Sequence, residues 1–327
     1  MKKVLGLGNA LVDILVRIND DDLLKSLQLP KSCMTLVVES QINAILARID
    51  RLEKQETCGG SAANTISGLA RLGISTGYIG KIGHDAYGEF FAAEMRRHGT
   101  EARMFYGASQ TGRALGLITP DSERTFATFL GAAIELEASD LSPELFRGYD
   151  YFHIEGYMVQ NHPLVGTALR LAKDAGLEVS LDLASHNVVR ANLGFLQEMV
   201  AQYVDIVFAN EDEAMAFSGK NSPHEALVSI SPKCRIAVVK LGKNGSLIRQ
   251  KDEQHQIGCI PALAVDTTGA GDLYAAGFLY GLIHEYPLAV CGNIGSLLSG
   301  KVVEVIGAKL DEKKWLEVEA ALPKLIS

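Results

Sequence analysis

Apolar and polar residues follow two rhythms along this chain. Short apolar runs recur at Val4–Leu7, Tyr151–Ile154, Glu178–Asp182, Ile206–Ala209 and Arg235–Lys240, a pattern that predicts short buried strands. Between such runs, apolar positions fall three and four residues apart. Ser40–Lys54 carries Ile42, Ile45, Leu46, Ile49 and Leu52 on one stripe, with Ser40 the expected N-cap. Gly60–Leu72, Asp85–His98, Pro163–Ala175 and Leu193–Tyr203 are further predicted helices, and Gly73 and Gly99 stand where a left-handed residue closes a helix. Short apolar strands alternating with helices predict a parallel sheet covered on both faces.

Two regions break the alternation. Arg103–Tyr106, Ala114–Thr119 and Arg124–Leu130 read as strands without helices between them, and with Leu11–Ile18 they predict a small antiparallel sheet beside the main one. Such a layer is either a lid over a ligand cleft or an edge without function, and the pattern leaves both open. No repeat or low-complexity stretch divides the chain. Residues 1–327 therefore read as one unit, with lid strands within about 11–38 and 102–131 and a large α/β core from the remainder, including 132–327.

Composition narrows the function. Lys and Arg number 31 against 39 Asp and Glu, and this net charge of −8 argues against a non-specific nucleic-acid or membrane-surface binder. At 47% hydrophobic and 21% charged residues, the chain has material for a sizeable core. Its five cysteines are scattered and never form a CxxC pair, so neither a disulfide framework nor a zinc site is indicated. Gly6, Gly8 and Asp13 interrupt the apolar start, and no run approaches the length of a membrane span. A soluble cytoplasmic protein is expected.

The densest chemistry lies in Val265–Phe278, VDTTGAGDLYAAGF. A strand-like approach over Ile260–Val265 leads to two threonines, then Gly269–Ala270–Gly271, Asp272 and a helix. Small residues at a helix start leave backbone N–H groups unpaired and let a ligand come close. With the positive end of the helix dipole they form an anion site. A carboxylate in a first turn ordinarily just complements that dipole. Here nothing larger than alanine separates Thr268 from Asp272. A base beside a pocket for developing negative charge suits phosphoryl transfer. A dinucleotide site fits poorly, because Gly6 and Gly8 are followed by Leu11 where a third glycine belongs.

VDTTGAGD resembles the C-terminal signature of the ribokinase-like, or PfkB, family of sugar and nucleoside kinases. CGGSAANT (Cys58–Thr65) is similar to that family's N-terminal glycine signature. GNALVD (Gly8–Asp13), IGKIGHDAYG (Ile79–Gly88), SERTF (Ser122–Phe126), ANEDEA (Ala209–Ala214) and VKLGKNGS (Val239–Ser246) match in the family's order across nearly the whole chain. The resemblance implies a three-layer α/β/α core with a mainly parallel sheet and a small antiparallel β lid. It implies Asp272 as catalytic base, with Gly269, Ala270 and Gly271 as the anion hole. Asp13, Gly59, Gly60 and Asn64 match its substrate pocket. A carboxylate that accepts two hydroxyls reads a vicinal diol, since losing either leaves a buried acceptor unpaired.

Asn210 and Glu213 match the family's N-x-x-E motif, which organises Mg2+ and the ATP phosphates. Lys240, Gly242 and Gly245 match its nucleotide loop, with lysine where many members carry threonine. Asp266 and Thr268 match positions that many members use for a monovalent cation, K+, beside the anion hole. Two residues keep two readings each. Glu155 is a further sugar contact or an exposed strand end, and Arg124 faces the lid–core cleft or joins a surface ion pair.

The segment Asp20–Lys54, inserted before the glycine motif, is similar in layout to the bacterial adenosine-kinase-like branch. The reaction this implies is transfer of the γ-phosphate of ATP to a primary hydroxyl of a ribonucleoside or sugar, with adenosine first. One alternative is a fructose, ribose or phosphosugar kinase, the last drawing on Lys25, Arg103 or Arg113. Another is a non-catalytic nucleoside- or sugar-binding regulator, against which the intact Asp272 counts. The partner expected is a small molecule, neither nucleic acid nor membrane, and the chain is expected as a monomer or a homodimer paired through the lid.

Overall fold

The computed structural model describes residues 2–121 and 123–326. Its strands are, in the first half, β1 (Lys3–Leu7), β2 (Leu11–Arg17), β3 (Met34–Leu36), β4 (Lys54–Gly59), β5 (Ser75–Ile82), β6 (Thr100–Tyr106), β7 (Gly112–Ile118) and β8 (Arg124–Phe129). The second half adds β9 (Tyr151–Glu155), β10 (Glu178–Asp182), β11 (Ile206–Asn210), β12 (Ile236–Lys240), β13 (Ser246–Gln250) and β14 (Glu253–Ile257). Nine of them form one sheet in the order β14-β13-β12-β11-β10-β9-β1-β5-β6, and five form a second in the order β3-β8-β7-β2-β4. In the large sheet β12 through β6 run parallel, and only the β13–β14 edge is antiparallel.

Parallel strands buried on both faces send alternate side chains to opposite layers. Val4, Phe208 and Val238 enter one core with Ile66, Phe278 and Ile294, from the helices Ser61–Arg71, Ala270–Ile283 and Leu288–Val302. Their neighbours Leu5, Val207 and Val239 enter the other, with Leu169, Leu196 and Phe217 from His162–Asp174, Leu193–Tyr203 and Glu211–Ser218. The three layers expected from the sequence are therefore present. Each fully buried Phe or Leu contributes about 1.5–3 kcal/mol to holding them together.

Local chemistry sets the helix starts. Asp85 Oδ1 accepts the Gly88 N–H at 2.8 Å, and Asn161 Oδ1 accepts the Leu164 N–H at 3.1 Å. Gly73 and Gly99 adopt the left-handed conformation expected of them. Ser40 does not cap its helix, which spans Glu39–Arg48; the Gln41 side chain accepts the Val38 N–H there instead.

Three expectations about the strands need correcting. Thr100–Tyr106 belongs to the large sheet, parallel to β5, because the helix Ala86–Arg97 carries the chain across between them. The small sheet is mixed rather than antiparallel: β2–β4 and β7–β8 are antiparallel, β2–β7 and β3–β8 parallel. Ile260–Val265 is irregular, not a strand. Among the described residues, no helix is long and apolar enough to cross a membrane.

Candidate active site

Four neighbouring strands, β9 to β12, end on Glu155, Asp182, Asn210 and Lys240. Ligands of parallel sheets bind at such carboxyl ends. A cavity of 930 Å³ opens there, lined by Asp182, Asn210, Glu213, Lys240, Gly242, Gly245 and the Gly269–Asp272 turn. Gly269 is left-handed and the Ala270–Ile283 helix starts without a side-chain cap; the Ala270 N–H donates to the Thr267 carbonyl at 3.2 Å, which leaves the Gly271 and Asp272 N–H groups available. Sequence reasoning brought all of these residues forward except Asp182, whose signal was its place at a strand end beside three other polar strand ends.

Asp272 lies in the first turn of that helix, facing the start of Ser61–Arg71. Ser61 Oγ donates to its Oδ1 at 2.6 Å and Asn64 Nδ2 to its Oδ2 at 2.9 Å. Burial pushes the carboxyl up to about 6, against those two hydrogen bonds. A carboxylate so poised can take a proton near neutral pH.

Asp13, on β2, is pushed up to about 7 by burial, with the Lys309 ammonium pulling down and Asp272 pushing up. Gly59, two residues along β4 from its cross-strand neighbour Thr57, leaves room for it: a Cβ there would fall 2.0 Å from Asp13 Oδ1. Among the described residues, Asp13, Gly59, Gly60 and Asn64 do not line the 930 Å³ cavity. Asn64 lines instead a smaller one of 240 Å³ with Cys58 and Lys309. There Asn64 Oδ1 and Lys309 Nζ are buried without a hydrogen-bond partner. Lys309 was not anticipated, and a lone lysine far along the chain gives no signal of its own.

Glu155 is neither exposed nor open to a sugar. Its carboxylate accepts the Asn9 N–H at 3.1 Å, Asn9 Nδ2 at 2.7 Å and the Ala62 N–H at 2.8 Å, pinning the loop after β1 to the Ser61–Arg71 helix. Asn210 and Glu213 hold each other, Asn210 Nδ2 donating to Glu213 Oε1 at 2.7 Å and the Glu213 N–H to Asn210 Oδ1 at 2.9 Å. Lys240 Nζ donates to Asp182 Oδ2 at 2.6 Å, and a Cβ on Gly271 would stand 2.9 Å from that nitrogen. The lysine therefore carries positive charge to the anion turn. Asp182 and Glu213 offer hard carboxylate oxygens, a donor set that fits Mg2+, which takes one or two carboxylates and completes its shell from phosphates and water.

The monovalent-cation expectation fits less well. The buried Asp266 carboxylate is paired with the Arg124 guanidinium and accepts the Thr268 N–H at 2.8 Å and the Gly307 N–H. Arg124 Nη1 also donates to Thr268 Oγ1 at 3.2 Å. The Arg124 guanidinium already neutralises the Asp266 carboxylate, the charge a monovalent ion would otherwise meet. Arg124 thus faces the lid–core cleft. Of the phosphosugar candidates, Lys25 pairs with Asp22 on the surface, Arg103 with Glu101, and Arg113 is held by Asn43 and Gln110.

The profile of the pfkB family carbohydrate kinases matches residues 48–315. The chain belongs to the PfkB family. It is similar to a probable sugar kinase from Rhizobium etli, with 33% identity, 99% of each chain covered and a TM-score of 0.88. It is also similar to the adenosine kinase from Sinorhizobium meliloti, at 32% identity over 98% of this chain and 99% of that one, with a TM-score of 0.86. Among curated proteins, the 5-dehydro-2-deoxygluconokinase of Geobacillus kaustophilus is 28% identical over 262 residues, 75% of this chain and 78% of that protein. This PfkB protein is a phosphotransferase with an alcohol group as acceptor, and kinases of the family use ATP, usually with Mg2+.

Proposed function

We propose that this PfkB kinase transfers the γ-phosphate of ATP to the primary hydroxyl of a ribonucleoside, adenosine first, with Asp272 as general base. The observation that carries the reading is the Asp272 carboxylate, held by Ser61 and Asn64 at the mouth of an uncapped helix start. In this reading Asp13, beside Gly59 and Gly60, accepts hydroxyls of the sugar, and Asp272 takes the proton of the attacking hydroxyl. The new oxygen–phosphorus bond forms as the bond from the γ-phosphorus to the bridging oxygen breaks, and ADP carries away that electron pair. The N–H groups of Gly269–Gly271 receive the charge that develops on the phosphoryl oxygens, and Lys240 adds a cation beside them. Asp182 and Glu213, the latter braced by Asn210, would hold Mg2+, which would supply charge neutralisation on the phosphates when bound. Adenosine is favoured by the near full-length similarity to the Sinorhizobium meliloti adenosine kinase.

A sugar or sugar-acid acceptor is the second reading. It is favoured by the similarity to a 5-dehydro-2-deoxygluconokinase and by the unpartnered Lys309 ammonium, whose charge acts on both Asp13 and Asp272. ADP release with ATP and Mg2+, measured across adenosine, other ribonucleosides, ribose, fructose, fructose phosphates and sugar acids, separates the two. Turnover favouring adenosine is expected, and Asp272→Asn should lower kcat by about 10²–10⁴. Equal kcat in that variant removes Asp272 from the role, and binding of ATP without turnover on any acceptor moves the protein to the regulator reading.

A further inference from the structure

Asp266 sits at the foot of the turn that presents Gly269–Gly271, and its side chain is 1% exposed. A bare carboxylate buried there would oppose any phosphate arriving on the turn and would itself be costly to bury. The structure supplies its counter-charge from an unexpected element. Arg124 opens β8 of the small sheet and reaches across the cleft, its guanidinium on Asp266 and on the Thr268 hydroxyl. The remaining Asp266 contacts are two backbone N–H groups, from Thr268 and from Gly307. The Gly307 segment packs against the same turn, since a Cβ on Gly269 would meet Ala308 at 2.5 Å. With a guanidinium and two N–H donors in place, the charge of the carboxylate is already met, and the guanidinium repels a further cation.

We propose that Arg124 is the resident cation of this phosphate-binding turn, standing where other members of the family place a monovalent metal ion, so that phosphoryl transfer by this chain is independent of potassium. Arg124 acts through Asp266 and is a positioning residue: it neutralises the carboxylate and fixes the Thr268 side chain beside the first N–H groups of the helix. The inference rests on the kinase reading for its activity arm only.

Two readouts test it. Turnover of the wild type is measured in potassium, sodium and tetramethylammonium chloride at one ionic strength, beside Arg124→Ala and Arg124→Lys. The wild type should be indifferent to the ion. Arg124→Ala should lose about 10²-fold in kcat, at the low end for removing one charge-stabilising group, and should recover part of it in potassium but not in tetramethylammonium. Arg124→Lys should keep most of the activity.

The second readout needs no substrate. Melting temperature without nucleotide should be blind to the choice of ion in the wild type, while Arg124→Ala should gain a potassium-specific rise as the vacated Asp266 takes the ion. Potassium activation of the wild type, or a potassium-specific rise in its melting temperature, overturns the proposal. So does an Arg124→Ala protein with full turnover and no response to the ion. If Arg124→Ala does not fold, the wild-type ion series and Arg124→Lys still decide. An ion-blind wild-type melt with no turnover on any acceptor would count against the kinase reading while supporting the assignment of the cation.

Discussion

At the scale of single residues, acid–base behaviour in the cleft follows from burial. Asp13 and Asp272 are raised to about 7 and about 6, chiefly because their charged forms lose water. Both must be ionised in the proposed reaction, one to accept hydroxyls and one to accept a proton. For the acceptor, kcat/KM reports groups on the free enzyme. Its logarithm should therefore fall with slope one below about pH 7 and approach slope two below about pH 6. The Ser61 hydroxyl donates to the ionised form of Asp272 and so holds its pKa down. Removing it in Ser61→Ala should move the lower break upward by about one unit, the size of one hydrogen bond to a charged group. A pH profile of kcat/KM for both proteins measures this, and a flat wild-type profile from about pH 5 to 8 would take both carboxylates out of the reaction. Asp272 was legible in the sequence because its setting of small residues is unusual. Ser61 lay unremarked inside CGGSAANT, since a serine after two glycines reads as a helix start. Lys309 was invisible, because its neighbours come from distant parts of the chain.

At the scale of elements, the proposed acceptor side is built on the small sheet. Asp13 and Gly59 lie on the antiparallel strands β2 and β4, in register through Leu11–Gly59 and Asp13–Thr57. Adding one methyl at Gly59 puts a Cβ 2.0 Å from Asp13 Oδ1. A side-chain carboxylate can swing away where backbone cannot, so the sheet should survive and the carboxylate should move. Gly59→Ala should raise KM for the acceptor about tenfold, the loss of one hydrogen bond to a charged group, with KM for ATP and the melting temperature near wild type. Steady-state kinetics with each substrate varied in turn, plus a thermal melt, checks both halves; an unchanged acceptor KM would separate Asp13 from acceptor binding. Gly60→Ala makes the contrast. Its Cβ would meet the Asn9 carbonyl at 2.2 Å in a left-handed backbone, so there the fold itself must yield. The strand–helix rhythm was readable because it is local. Sheet membership was not: β6 has the same apolar run whichever sheet it joins, and the helix before it is what carries it to the large one. β4 escaped notice altogether, as KQETCG has no apolar alternation and is a strand only through its pairing with β2.

For the whole molecule, the same buried carboxylates link stability to pH. Burial lifts Asp13, Glu155 and Glu213 to about 7 and Asp272 to about 6. In the unfolded chain these groups titrate near their ordinary values of about 4. Through the interval from about pH 4.5 to 7 the native state thus keeps protons that the unfolded chain has released. Two histidines act the other way, since burial holds His153 down at about 4 and also lowers His98, leaving the unfolded chain with protons the native state lacks. Four raised carboxylates outnumber two lowered imidazoles, so stability should fall as pH rises through this interval. Below about pH 4 the sign reverses. There Asp121, kept down at about 2 by its hydrogen bond from Lys31, and Asp85, held low despite its burial by Thr111 and Gly88, are forced to take protons in the native state. Urea unfolding of the ligand-free protein should show greatest stability between about pH 4 and 4.5 and a loss of a few kcal/mol by about pH 7.5. An acceptor that donates hydrogen bonds to Asp13 favours its ionised form. Binding near pH 6.5 should therefore release protons, and saturating acceptor should flatten the decline. Stability that climbs steadily from pH 5 to 7.5 would mean that these buried carboxylates are already ionised in the free protein, and that neighbouring donors or cations neutralise them before any substrate arrives.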